Sequence, residues 1–189
     1  MTFARLVLAA STNDPVPEPD GSNSLPPKPA ASALFKFYKA NISSLYPVFT
    51  DNTFLDSLLD KMYDERTPPT KSSDLWIFWM VLAIGSSAQS RSQTDEHYDN
   101  GVKFVARAMG FADAALTPGY MAQIQSLLLL TQYAMLDPAH FDSWQLIGFT
   151  CRAVTDLGYH QDPPKSQVKD HNGLEARRKL FYCVYALDR

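Results

Sequence analysis

The spacing of apolar residues constrains this fold more than any other feature of the sequence. From residue 51 to residue 189 apolar side chains recur with the period of an α-helix, and no stretch alternates as a strand does before a hairpin turn. Candidate N-caps precede four of these segments, at Asp51 or Asn52, Ser73 or Asp74, Thr94 and Thr117. Helix ends are expected at Pro68–Pro69, Gly110, Asp137–Pro138 and Gly158. The pattern predicts an all-α fold.

Two of the predicted helices are apolar on nearly every face. Residues 75–84 form an apolar run of ten, whereas a helix needs about 20 such residues to cross a bilayer, so we expect a core helix and no membrane span. The helix after Thr117 carries the run Leu127–Leu130 and is expected to be central and buried. The short break at Asp137–Pro138 predicts an antiparallel hairpin between this helix and the next, over about 139–157.

The first 32 residues have a different composition. Six prolines lie between Pro15 and Pro29, and proline at this density prevents helices and sheet ladders from forming. We therefore predict a disordered or linker-like segment over 1–32, mobile and dispensable for stability, and a folded domain over 33–189.

Charge and residue types exclude several function classes. Lys and Arg number 17 against 20 Asp and Glu, a net charge of −3, which excludes a chain built mainly to neutralise nucleic-acid phosphates. Cys151 and Cys183 are too few for a disulfide framework or a zinc site of four thiolates, and we expect buried structural thiols. The four histidines have no metal-binding spacing, and no nucleophile elbow or phosphate loop is present, so no enzyme and no cofactor are predicted.

The large aromatic residues of the helices are expected in the core, and an effector pocket between helices is the alternative for some of them. The residues considered are Trp76, Trp79, Trp144, Phe181, Tyr182 and Tyr185.

A series of short motifs runs along the chain. The motifs begin with Phe37–Tyr38, Tyr46–Pro47 and Phe54, continue through residues 83–85, Tyr98, 125–130 and 156–162, and end with 175–182. Their order resembles that of the regulatory middle domain of fungal binuclear zinc-cluster transcription factors. Thirteen positions match the motifs of the family, and the resemblance implies structural roles for them. They are Gln125, Trp144, Gly148, Arg152, Asp156, Gly158, His160, Glu175, Arg177, Arg178, Tyr185, Asp188 and Arg189. One of the two arginines at 177 and 178 is expected to pair with Asp156 or Asp188.

The resemblance implies regulation of RNA polymerase II transcription in a fungal nucleus. It also implies that zinc and DNA contact belong to a six-cysteine module of full-length relatives, which the two cysteines of this chain cannot form. Co-regulator proteins or a small-molecule inducer are the partners it suggests. The alternative is a helical protein–protein interaction scaffold with no role in transcription.

The last helix is apolar from Leu180 to Leu187, and the family domain continues beyond the Asp188–Arg189 pair. We therefore expect the domain to be truncated at its carboxyl end and to self-associate through this helix.

Overall fold

The structure, a computed structural model, describes residues 3–12, 14–19, 24–64, 71–164 and 171–189. Within them lie the helices α1 (Phe3–Leu8), α2 (Lys28–Asn41), α3 (Thr53–Tyr63), α4 (Ser72–Ser87), α5 (Glu96–Met109), α6 (Ala112–Ala115), α7 (Met121–Leu136), α8 (Ser143–Asp156) and α9 (His171–Asp188). The described residues contain no β-strand, only one isolated β-bridge between Ser11 and Phe141. The predicted all-α fold is confirmed.

Helices α4 and α7 form the centre of the core, as their sequences predict. Every residue of α4 from Trp76 to Ser86 is buried, and α7 is buried from Ile124 to Ala134 except for the half-buried Gln125. Helix α4 packs against α2, α5 and α7, and α7 packs in turn against α8 and α9. Because neither helix has a polar face, both are held by burial on all sides rather than by one apolar stripe.

Helices α2 and α4 approach each other closely at Gly85. A β-carbon added there would lie 2.8 Å from the backbone carbonyl oxygen of Leu34. Real β-carbons do not come so near to backbone atoms, so this contact requires glycine. Gly85 therefore allows the first long helix to pack on the central one.

The helix boundaries follow the predicted signals with local differences. Asp95, one residue after the predicted Thr94, caps α5 by accepting a hydrogen bond from the Tyr98 amide at 2.8 Å. Helix α7 begins at Met121 rather than at Pro118, the residue after the predicted cap Thr117, because Gly119 takes a left-handed conformation with φ of 96°. Gly158, with φ of 69°, follows the end of α8 as predicted. Pro68 and Pro69 lie outside the described residues.

The packed part of the chain begins well before residue 33. Helix α2 begins at Lys28, with a proline in its first turn, and α1 buries the side chains of Ala4 and Val7. Proline is compatible with a first helical turn because the amide it lacks has no partner there. The structure therefore differs from the predicted disorder over residues 3–12 and 28–32. Residues 1, 2, 13 and 20–23 lie outside the description, and for the rest of 1–32 the disorder stays a prediction.

Backbone pairing explains how so little apolar surface holds the amino-terminal residues. The Asp142 amide donates to the Ala10 carbonyl at 2.8 Å, and the Thr12 amide donates to the His140 carbonyl at 3.0 Å. Residues 10–12 thus lie against the connection between α7 and α8. We call residues 3–12 the amino-terminal strap.

Candidate functional site

Helix α8 presents a large aromatic side chain to solvent. Its buried face consists of Leu146, Ile147, Thr150, Ala153 and Val154. Trp144 lies about 200° around the helix from Leu146, away from this face, and its side chain is 80% exposed. The expectation that Trp144 belongs to the core is wrong. Tryptophan is rarely left so exposed, so Trp144 sets this part of the surface of α8 apart.

A groove between α8 and the end of α9 begins at Trp144. Its volume is about 290 Å³, and it is lined by Trp144, Gln145, Ile147, Gly148, Phe149, Arg152 and Asp188. A β-carbon added at Gly148 would meet nothing within 4 Å, so the groove is open at that point. The lining combines apolar side chains with one cationic and one anionic residue. We call this cavity the α8 groove.

The capping residue Asp142 fixes the start of α8 and therefore the position of Trp144. Its carboxylate accepts hydrogen bonds from the amides of Trp144 at 2.9 Å and Gln145 at 3.3 Å. Because Asp142 also pairs through its own amide with the amino-terminal strap, the strap and the α8 groove are linked through one residue.

Cys151 and Asp188 join the two helices beside the groove. Burial raises the pKa of the Cys151 thiol, and the Asp188 carboxylate to which it is hydrogen-bonded raises that pKa further. Cys183 is buried, and burial raises its pKa to about 12. Both thiols therefore stay protonated near neutral pH, where a thiol is a poor nucleophile.

A second cavity lies against the carboxyl half of α8. Its volume is about 470 Å³, and its lining includes Pro118 and Gly119, which precede α7, and Gln123 in the first turn of α7. Phe149 and Arg152 line both cavities, and Asp156 lines this second one. Arg152 thus stands where an anionic group in either cavity would meet its guanidinium.

Arg177 holds the turn between α8 and α9. Its guanidinium donates to the carbonyl oxygens of Gly158 at 2.9 Å and Gln161 at 3.5 Å, and it lies 4.6 Å from the centre of the Tyr159 ring. Burial raises the pKa of Tyr159, while the neighbouring Arg177 opposes that shift. The carbonyls and the ring together fix the left-handed turn at Gly158 against α9.

The neighbouring Arg178 forms an exposed ion pair with Asp162. Its Nε lies 3.0 Å from Asp162 Oδ1, and its Nη2 contacts the other carboxylate oxygen. These hydrogen bonds lower the pKa of the Asp162 carboxyl. The expectation of Asp156 or Asp188 as partner is wrong for Arg178, since the pair forms across the turn rather than along the helices.

Two glutamines of α7 bind the segment before α3. Gln125 donates to the Val48 carbonyl at 3.3 Å, and Gln132 donates to the Tyr46 carbonyl at 3.1 Å. The Tyr38 hydroxyl completes the contact by donating to the Gln132 carbonyl oxygen at 3.2 Å. Of the two, Gln125 is a motif position, whereas Gln132 was not identified from the sequence.

Comparison with known proteins identifies the family of the chain. The fungal specific transcription factor domain matches residues 34–189, which is most of the chain. The chain belongs to this family.

Similar curated proteins come from fungi and are named as regulators. The lactose regulatory protein LAC9 of Kluyveromyces lactis is 29% identical over 157 residues, which cover 81% of this chain and 16% of that protein. The positive regulator of purine utilization of Emericella nidulans is 24% identical, and the match covers 87% of this chain and 21% of that protein. The pyrimidine pathway regulatory protein 1 of Saccharomyces cerevisiae is 29% identical, and the match covers 64% of this chain and 13% of that protein. The chain thus spans a minor part of each relative's length. No solved structure matches it significantly.

Within this fungal transcription factor domain, eight of the thirteen motif positions lie in three places. Trp144, Gly148, Arg152 and Asp188 lie together at the α8 groove. Gly158, Arg177 and Arg178 lie at the turn between α8 and α9, whereas Gln125 lies apart on α7. Asp156, His160 and Glu175 are exposed, as are Tyr185 and Arg189 at the end of α9.

Of the aromatic residues that were expected in the core, some are buried and others are exposed. Trp76 and Trp79 are buried in α4 as predicted, and Phe181 is half-buried. Tyr182 and Tyr185 are 65% and 51% exposed, so the prediction is wrong for both. They lie on the face of α9 opposite its buried residues, which the unbroken apolar run of that helix conceals.

Sequence reasoning also missed a buried polar cluster where the strap meets the core. The Asp137 carboxylate accepts a hydrogen bond from the Tyr133 hydroxyl at 2.9 Å and lies 3.7 Å from His140 Nε2. His140 Nδ1 lies 2.9 Å from the Asp14 carbonyl oxygen, to which it donates. Burial, and then the Asp137 carboxylate, raise the pKa of Tyr133. The single sequence signal for this cluster is Asp137–Pro138 beside a histidine, which we interpreted as a helix break.

Among the described residues, no group of three or more His, Cys, Asp and Glu side chains is placed to hold a metal ion. None of the described helices is long and apolar enough to span a membrane.

Proposed function

We propose that this chain is a regulatory domain that controls RNA polymerase II transcription in the nucleus by binding other protein segments. The match of residues 34–189 to the fungal specific transcription factor domain is the observation that carries this proposal. Similar fungal proteins are named as a lactose regulatory protein, a positive regulator of purine utilization and a pyrimidine pathway regulatory protein. Zinc binding and DNA contact belong, in this proposal, to other modules of such longer proteins.

The α8 groove is the surface that we assign to this binding. Exposed tryptophan and arginine are the residue types that contribute most to protein interfaces, and Trp144 and Arg152 both line the groove. A short apolar segment with an acidic residue fits this lining, because its apolar side chain would cover Trp144 while its carboxylate met Arg152. Such a segment belongs either to an activation region or to a co-regulator, and its release or capture changes transcription.

A reporter assay in yeast tests the proposal. The full chain is placed between an unrelated DNA-binding domain and an unrelated activation region, and reporter output is compared with that of the same fusion lacking the chain. We expect the chain to lower output, because it holds the activation region, and Trp144→Ala to restore most of it. Fluorescent tagging of the untethered chain tests for nuclear accumulation.

Leu45→Ala is the matched control, because Leu45 is also a large apolar residue, 69% exposed, far from the groove in sequence. It should repress as well as the unchanged chain does. Equal reporter output with and without the chain would favour the alternative, an interaction scaffold unrelated to transcription. Equal effects of the two substitutions would remove the α8 groove from the proposal.

A further inference from the structure

A third cavity lies between α2, α4 and α5. Its volume is about 680 Å³, against about 290 Å³ for the α8 groove, and it shares no lining residue with that groove or with the second cavity. Cavities of roughly 300–1,000 Å³ are of the size that holds a small organic molecule with most of its surface buried. We call this one the α5 cavity.

Residues 24–27 form one wall of the α5 cavity, and two hydrogen bonds hold this wall in place. The Tyr63 hydroxyl donates to the Pro26 carbonyl at 2.6 Å, and the Arg107 guanidinium donates to the Ser24 carbonyl at 2.5 Å. A site whose walls are fixed before binding loses little conformational entropy when a ligand enters. The α5 cavity is therefore formed before a ligand arrives.

Apolar side chains from three elements line the cavity. Leu25 comes from the wall of residues 24–27, Leu34 from α2 and Phe104 from α5, and all three are half-buried. The Phe104 ring is held 5.9 Å from the centre of the Trp79 ring, which is buried. Covering apolar surface that is still in contact with water is favourable. The lining therefore favours a ligand with an apolar body.

The charge of the cavity favours an anion. Its lining has two cations, Lys103 and Arg107, against the single carboxylate of Glu96, whereas the chain as a whole has a net charge of −3. Lys103 is exposed and forms no ion pair with any described residue. Glu96 lies seven residues before it, about 10 Å along the helix. An anionic group that enters the cavity would therefore meet the Lys103 ammonium group.

We propose that the α5 cavity binds a small organic anion with an apolar body. The anionic group lies at Lys103, and the apolar body lies against Leu25 and Phe104. Such a ligand joins residues 24–27, which precede the part of the chain that matches the family, to a helix within that part. This inference does not rest on the transcriptional role proposed above, and the two use different residues.

Titration of the full chain with anilinonaphthalene sulfonate tests the proposal, with the fluorescence of the dye as the readout. The rings of this dye supply the apolar body, and its sulfonate supplies the anion. Phenylnaphthylamine, which has the same rings without the sulfonate, is the uncharged probe. We expect one molecule of the sulfonate dye to bind per chain, with a micromolar dissociation constant.

A charge variant tests the role of Lys103. Lys103→Ala should weaken binding of the sulfonate dye about tenfold, because a charge-assisted contact is lost, and should change binding of the uncharged probe by less than about twofold. Lys36→Ala is the matched control, because Lys36 is also exposed but does not line the cavity, and it should leave both dissociation constants unchanged.

A filled cavity tests the place of binding. Ala33 is an exposed residue of α2 that lines the cavity, so the indole of Ala33→Trp should fill it and abolish binding of both dyes. Ala40→Trp makes the same change at an exposed position of α2 outside the lining and should bind as the unchanged chain does. Helical circular dichroism of each variant checks that it is folded.

Three results would overturn the proposal. They are a chain that binds neither dye, binding that survives in a folded Ala33→Trp variant, and equal losses with Lys103→Ala and Lys36→Ala. Trp144→Ala should leave dye binding intact, and loss of binding in that variant would place the dye in the α8 groove instead. Failure here and failure of the reporter assay are therefore distinct results.

Discussion

Replacement of Val7 by alanine measures how firmly the amino-terminal strap is docked. Val7 is fully buried within the strap, although sequence reasoning predicts that residues 1–32 are mobile. The change removes two buried methyl groups, at about 0.8 kcal/mol each, and leaves a small cavity that adds to the loss. The unfolding free energy should therefore fall by about 2 kcal/mol. For a domain of this size that loss lowers the melting temperature by about 4–8 °C.

The assay is thermal and urea unfolding followed by helical circular dichroism. Val16→Ala is the matched control, because it makes the same chemical change at a half-buried position outside any helix. Val16→Ala should lower the unfolding free energy by less than about 1 kcal/mol, since a half-buried side chain loses less apolar contact than a buried one. If Val7→Ala leaves the melting temperature unchanged, the strap is not docked in solution, and the reasoning from its burial and its backbone pairing is refuted.

Three further predictions concern other parts of the fold. Gly85→Ala should lower the unfolding free energy by about 1–3 kcal/mol in urea titrations, because the added β-carbon meets the Leu34 backbone. Gly148→Ala should not destabilise the protein, because its β-carbon meets nothing. Equal effects of the two substitutions would contradict the close approach of α2 and α4. Arg177→Ala should speed amide exchange over residues 158–162, because it removes the hydrogen bonds to that turn. Arg178→Ala breaks only an exposed ion pair and should change the unfolding free energy by less than about 1 kcal/mol. A larger effect of Arg178→Ala than of Arg177→Ala in either measurement would be inconsistent with the structure. Amide donors lower the pKa of the Asp95 carboxyl to about 2. The stability that Asp95 contributes is therefore present above its unfolded pKa of about 4 and is lost as the pH falls towards 2. Asp95→Asn should flatten that part of an acid unfolding curve, and an unchanged curve would argue against the cap.

The centre of the fold is predictable from sequence because its signal is local. The all-round apolar sequences of α4 and α7 have no alternative to burial, and both helices are central. Gly158 could be predicted as a helix end for a similar reason, since its conformation depends on its own residue type.

The candidate site is less predictable, because residue type and helix phase disagree there. Tryptophan as a type predicts burial, yet the phase of Leu146 and Ile147 places Trp144 on the solvent side of α8. Arg177 resists prediction for another reason: its partners are carbonyl oxygens of a turn, and no residue type identifies these in a sequence. The docked strap depends on pairing with residues 139–142, which no local pattern indicates.

The distance along the chain between the strap and its docking surface sets an order of events during synthesis. Thr12 bonds to Ala139, 127 residues further along. A ribosome adding about 5–20 residues per second needs about 6–25 s to make that interval. The strap is therefore made first and its backbone pairing forms late, because residues 139–142 are not made until α7 has been completed and the chain has turned towards α8. Helix α1 packs against α6, which is made earlier. Until α6 has been made, the apolar residues of the strap have no native partner among the described elements, so a nascent chain must either leave them solvated or have them covered by a chaperone.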